Sequence, residues 1–252
     1  MRILLVADIH ANWPALQAVA AAETYDICLC LGDLVDYALE PAPCIAWARE
    51  KAHAIVRGNH DHGVAQNVTV NGRTGFKYLT GLTRVLTRER LSEPDLRYLS
   101  RLPLTRILSL DNTRYLLAHA SPRDPLDEYA PPDADFWARR LQNVDADVIC
   151  VGHTHHPYVL EVGEKLVINP GSVGQPRDGD PRAACAIIEG NTVDFKRVEY
   201  PIDETVSAVE AAGLPDVARA FLIEVLRTGT TPASGNGQRN GNGTNGPGEP
   251  VV

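Results

Sequence analysis

The chain has 252 residues, 44% of them apolar and 22% charged, and its 24 basic and 32 acidic side chains give a formal charge of −8. That apolar share is enough for a sizeable core and excludes wholesale disorder, while the acidic balance excludes general nucleic-acid binding and a membrane-surface role. No apolar run approaches the roughly 18 residues of a bilayer span, and the opening MRILLVADIH is too short in apolar residues for a signal-peptide core, so a cytoplasmic protein is expected.

Short β-rich runs at Arg2–Ala7, Asp26–Leu31 and His53–Arg57 alternate with helical segments at Pro14–Thr24 and Pro41–Lys51, each opening on proline. This βαβαβ rhythm predicts parallel strands joined by right-handed crossovers. A helical stretch follows at Thr74–Leu91, and Ser92 with Asp95 forms a capping-box pattern for the next helix. Leu104–Leu110 and Thr113–His119 flank an Asp-Asn turn and predict an antiparallel hairpin. After a Pro-rich loop and a helix near Asp133–Val144 come runs at Asp147–Val151, Tyr158–Val162, Lys165–Asn169 and Ala183–Glu189. Thr192–Glu199 should pair with the last of these through Gly190–Asn191. Helices near Asp203–Ala212 and Pro215–Thr228 complete a domain expected to span residues 1–227. Residues 228–252 hold seven of the 20 glycines and almost nothing apolar, which predicts a disordered tail. The five cysteines are an odd number without a CxxC pair, and are expected as small buried apolar residues.

Histidines and carboxylates collect where strands end. Asp8 and His10 follow the first run, Asp33 and Asp36 the second, and Asn59, His60 and Asp61 the third. His119 ends the hairpin, and His153 and His155 follow ADVICVG; seven of the eight histidines lie in or beside these clusters. In open α/β sheets the carboxyl ends of the strands share one crevice, so five strand ends would deliver their polar groups to one place. Nitrogen and oxygen donors without thiolate suit manganese, iron or zinc, and there are too many for a single ion.

The five blocks DIH (Asp8–His10), GDLVD (Gly32–Asp36), GNHD (Gly58–Asp61), AHA (Ala118–Ala120) and GHTH (Gly152–His155) occur in the order found in calcineurin-like metallophosphoesterases, which the chain resembles over roughly residues 1–198. The resemblance implies a four-layer αββα sandwich of two mixed sheets flanked by helices. It also implies two divalent metal ions, manganese first among iron, zinc and nickel. Asp8, His10, Asp33 and His155 would hold one ion, and Asp33, Asn59, His119 and His153 the other, with Asp33 bridging. His60 is similar to the family's catalytic histidine and Asp36 to the carboxylate that orients it. A water shared by two ions can ionise near neutral pH and attack phosphorus in line, and a protonated His60 would then donate to the leaving group.

The implied activity is hydrolysis of small phosphate esters, diesters favoured over monoesters. Asn12 lies close enough to DIH to reach a phosphate oxygen, or to cap the helix opening at Pro14. Arg177 stands in a loop that could border the cleft and clamp phosphate. Tyr37 occupies a position where Ser/Thr protein phosphatases carry arginine, GNHD replaces their GNHE, and Ala120 replaces glycine. These departures count against a protein phosphatase or a dinucleoside polyphosphate hydrolase. Retention of every expected ligand counts against a non-enzymatic scaffold.

Overall fold

The computed structural model describes residues 1–232. Five strands form the first sheet: β1 (Arg2–Val6), β2 (Ile27–Cys30), β3 (Ala52–Ile55), β9 (Ala183–Glu189) and β10 (Thr192–Val198). Their order is β10-β9-β1-β2-β3, with β1, β2 and β3 parallel and β9 and β10 antiparallel to their neighbours. The second sheet is β4-β5-β6-β8-β7, from β4 (Thr105–Leu110), β5 (Thr113–Ala118), β6 (Val148–Cys150), β7 (Pro157–Val162) and β8 (Lys165–Pro170).

Period-two alternation decides which layer each strand residue joins. Ile3 and Leu5 of β1 point inward with Leu29, Ala186, Leu117, Cys150 and Ile168, and these residues glue the two sheets face to face. Leu4 and Val6 point the other way, into a core shared with helices α1 (Trp13–Ala22), α2 (Pro41–Lys51), α3 (Asn59–Ala65) and α5 (Glu93–Arg101). On the far side of the second sheet, α6 (Ala134–Arg140) inserts the fully buried Trp137 against Leu116, Ile149 and Val167. The four layers are therefore helix, sheet, sheet, helix. A lateral cluster joins α4 (Gly75–Arg90), α7 (Ile202–Glu210) and α8 (Asp216–Thr228) to Tyr37 and Leu39.

All five cysteines are buried thiols within these cores. Among the described residues, no helix is long and apolar enough to cross a membrane. Most of the expected tail lies outside the described residues. Its first residues do not: Thr228 ends α8, and the Gly229 carbonyl accepts from the Gly179 amide at 2.8 Å.

Candidate metal centre

The strand ends of both sheets meet at one edge, and the chain turns there through an unusual backbone. Asp8, His10, Ala11, Asp33, Asp36, Tyr37, His153 and His155 all have φ between 47° and 67°. They are eight of the eleven non-glycine residues in the left-handed region among those described, so the backbone strain is concentrated here. Gly58 is required at this edge for space, since a Cβ there would fall on the Asp33 carboxylate.

Three imidazoles are fixed by backbone carbonyls. His10 Nδ1 lies 3.1 Å from Val35 O, His119 Nδ1 2.8 Å from Leu31 O, and His155 Nδ1 2.6 Å from Gln175 O. A carbonyl can only accept, so each Nδ1 carries the proton, and in the neutral ring Nε2 is left with a free lone pair. The Nε2 atoms of His10 and His155 face each other at 3.2 Å. Two lone pairs at that distance repel unless a cation lies between them. Asp8 Oδ1, 3.5 Å from His155 Nε2, is buried with no hydrogen-bond partner.

These donors fall into two groups with ligand atoms within 4.8 Å of one another: Asp8, His10 and His155, and Asp8, Asp33 and His119. Asp33 Oδ2 is 3.7 Å from His10 Nε2 and 3.3 Å from His119 Nε2. Asn59 Oδ1 approaches His119 Nε2 at 3.2 Å. His153 stands slightly apart, its ring edge-on to His119 with centroids 5.1 Å apart and its amide donating to Asp8 Oδ2. Two residues that the sequence reading left without a role hold the centre in place. Asp61 accepts from the amides of Asp33, Leu34 and Gly58 at 2.8–3.0 Å, and Ser172 donates to Asp8 O.

Electrostatics favour a cation. Burial drives His10 and His155 well below the ordinary imidazole range and His153 down to about 3, leaving all three neutral. Burial also pushes the Asp8 carboxyl up to about 7. His119 goes the other way: burial opposes its charge, but the Asp33 carboxylate and the hydrogen bond to it outweigh that and hold it protonated to about 10. A proton on His119 thus occupies the place where a cation would balance Asp33. The orphaned oxygen, the facing lone pairs and the oxygen/nitrogen donor set all fit divalent metal.

His60 lies beside this centre with its ring edge-on to His10, centroids 5.0 Å apart, and its Nδ1 2.8 Å from Asp36 Oδ2. Arg84 of α4 donates to the same oxygen through Nε at 3.0 Å and Nη2 at 2.7 Å. Arg177 stacks on Phe76 at 3.7 Å and donates to Gln175 Oε1 at 2.6 Å. With Asp33, Asn59, His60, His153 and His155 it lines a cavity of about 350 Å³ whose rim includes Val68, Val70, Phe76 and Leu126.

Asn12 requires a correction. It is fully buried, and its amide caps α1 through Ala15 N, donates to Gly174 O and Tyr200 Oη, and accepts from Thr205 Oγ1. With every polar atom engaged inside the protein, none is left for substrate. His62 lines the cavity, whereas His156 turns its Nδ1 to Thr154 O.

Comparison with known proteins agrees with this geometry. Residues 1–192 match the calcineurin-like phosphoesterase superfamily domain. An uncharacterised protein of Methanocaldococcus jannaschii is 32% identical over 240 residues, covering 85% of this chain and 94% of that one. The crystal structure of a metallophosphoesterase from Sphaerobacter thermophilus superposes with a TM-score of 0.77 at 35% identity, covering 91% of this chain and 99% of the other. A hypothetical protein from Pyrococcus horikoshii shares the fold, with a TM-score of 0.79 at 21% identity over 92% of this chain and 99% of its own. The chain belongs to the calcineurin-like phosphoesterase superfamily, a divalent-metal-dependent family, and is a hydrolase of phosphoric esters.

Proposed function

We propose that the protein is a cytoplasmic, dinuclear phosphodiesterase of small phosphate esters. The observation that carries this reading is the convergence of three tautomer-locked Nε2 atoms with Asp8 and Asp33, a cluster of which Asp33 and His155 reach the cavity wall. Asp8, His10 and His155 would hold one ion, and Asn59, His119 and His153 the other. Asp33 would be shared, a role supported by the position of its Oδ2 between His10 and His119. Manganese is the first choice, then iron, zinc or nickel.

Divalent ions bound there supply charge that polarises phosphoryl oxygens and acidifies water. The chain's own residues do the rest. Arg177, held by Phe76 and Gln175, would clamp a phosphoryl oxygen with its remaining N–H groups. His60, which lines the cavity with its Nδ1–H directed at Asp36, would pass a proton from Nε2 to the leaving oxygen. A cavity of about 350 Å³ with an apolar rim exceeds what a phosphoryl group fills and leaves room for a second ester substituent, which favours diesters.

The test is a matched series of mono- and diesters offered to manganese-loaded protein, with His60→Ala beside wild type. Diesters should give the higher kcat/KM. His60→Ala should keep its metal yet lose about 10²–10⁴-fold in kcat on esters with alkyl leaving groups, and much less on nitrophenyl esters, which depart without a proton. A fully metallated His60→Ala protein within about threefold of wild type on a poor leaving group, a difference of only about 0.6 kcal/mol, would remove His60 from the mechanism.

A further inference from the structure

Helix α4 turns Phe76, Leu79, Leu82 and Leu86 to the cluster it shares with α7 and α8, and buries a polar flank as well. Val85 is 57% exposed, whereas its neighbour Arg84 is 7% exposed. Beside the buried Leu79, this helix buries a polar run of Thr80, Thr83, Arg84 and Thr87. Lys and Arg are almost never buried without a partner, and the partner here is Asp36, itself fully buried.

Asp36 Oδ2 receives three donors, Nδ1 of His60 and Nε and Nη2 of Arg84. The remaining guanidinium nitrogen, Nη1, donates to Val68 O at 3.1 Å. All three nitrogens are therefore engaged on protein atoms, although Arg84 touches the cavity wall. The floor beneath the guanidinium is Gly63 of α3, where an added Cβ would overlap Arg84 Nη1 and Cζ. One helix brings the arginine and another leaves the space for it.

We propose that Arg84 is a positioning residue for hydrolysis, the third member of a His60–Asp36–Arg84 chain. It supplies a permanent countercharge for a buried carboxylate and, with both of its bonds on Oδ2, holds that oxygen against His60. Asp36 thereby remains the acceptor that holds His60 Nδ1–H. This inference rests on the reading of His60 as proton donor. It gives the buried polar stripe of α4 a function: Thr83 Oγ1 accepts from the Tyr37 amide, so the same helix also fixes the turn that carries Asp36.

The test uses metal-loaded full-length protein, an alkyl and a nitrophenyl diester, and the variants Arg84→Met, Arg84→Lys, Gly63→Ala, Asp36→Asn and His60→Ala. Arg84→Met should retain its metal and its KM but lose about 10- to 100-fold in kcat on the alkyl ester and little on the nitrophenyl ester. Arg84→Lys should recover part of the loss. In an Asp36→Asn background the Arg84 substitution should add less than about threefold, because the two act through one path. Gly63→Ala displaces only the flexible end of Arg84, so it should show the same leaving-group dependence and keeps the test open if Arg84→Met does not fold. A raised KM at constant kcat would make Arg84 a substrate contact and overturn the proposal, as would equal losses on both esters. If His60→Ala shows leaving-group dependence and neither Arg84→Met nor Gly63→Ala does, Arg84 alone is removed. If His60→Ala lacks it too, the reading beneath has failed.

Discussion

Because Asp33 Oδ2 lies between an imidazole of each ligand group, its loss should be felt in both. Asp33→Asn is expected to lower metal content at both positions and His10→Ala mainly at one; two full equivalents retained in purified Asp33→Asn would sink the shared role. The titration of the centre gives a second expectation. In the metal-free protein Asp8 is raised from 3.8 to about 7, and His119 from 6.5 to about 10. A raised carboxyl disfavours the fold increasingly as pH climbs from its ordinary value to the raised one. A raised imidazole contributes stability below 6.5 that is lost as pH approaches 10. Both groups therefore weaken the metal-free protein as pH rises, and metal takes over from the protons they lose. The gain in Tm on adding manganese to chelated protein should be larger near about pH 8 than near about pH 6. An equal gain at both would contradict it. Asn12 marks where sequence stops deciding: its place after DIH allowed a phosphate contact or a helix cap. Only its burial against Thr205 and Tyr200, almost two hundred residues away in the chain, selects the cap. Asn12→Ala should lower stability by about 1–3 kcal/mol and leave KM for a diester unchanged.

Periodicity made most helices and strands readable, and the exceptions have local causes. Residues of α3 read only as a strand exit because Asn59-His-Asp-His-Gly63 has no apolar repeat; its first-turn Asp61 serves the loop amides of Asp33 and Leu34 instead. Helix α4 was legible as a helix but not in its orientation, since an arginine on a helix ordinarily signals the wet face. The available signal was three threonines spaced with Arg84 at helical intervals, on a flank beside the apolar positions Phe76, Leu79, Leu82 and Leu86. The Ser92–Asp95 capping box, by contrast, stands as the sequence suggests. Helix α6 is short, yet it carries the one fully buried tryptophan, with Nε1 donating to Pro131 O. Trp137→Ala should cost about 3–5 kcal/mol in denaturant unfolding while leaving the metal content intact. A loss below about 1 kcal/mol would mean that α6 contributes little to the outer layer.

At the scale of the molecule, the order of chemistry-bearing strand ends was readable because each parallel unit is local in sequence. The insertion of β9 between β1 and β10 was not. Nothing in Ala183–Glu189 announces that it pairs with β1, since the register Leu4 opposite Ile187 joins residues at opposite ends of the domain. Composition placed the start of the tail at Thr228, but α8 includes that residue, and Gly229 joins the loop that carries Arg177. Truncation after Pro232 is therefore expected to leave Tm and turnover unchanged. Truncation after Arg227, which removes the Gly229 contact, should lower both. Equal behaviour of the two shortened proteins would show that the Gly179–Gly229 contact contributes nothing.

The left-handed turns at the strand ends have a consequence for how this protein can change over time. A non-glycine residue held there costs of the order of 1 kcal/mol or more, and several of these positions are occupied by the candidate ligands themselves. Whenever survival of the fold is selected and turnover is not, as in a heat screen without an activity readout, glycine or asparagine at Asp8, His10 or His153 should be among the first gains. Such lineages would become hardier and inert together. The centre persists only under continuous demand for its work, and an inactive descendant should melt above the metal-free form of its ancestor.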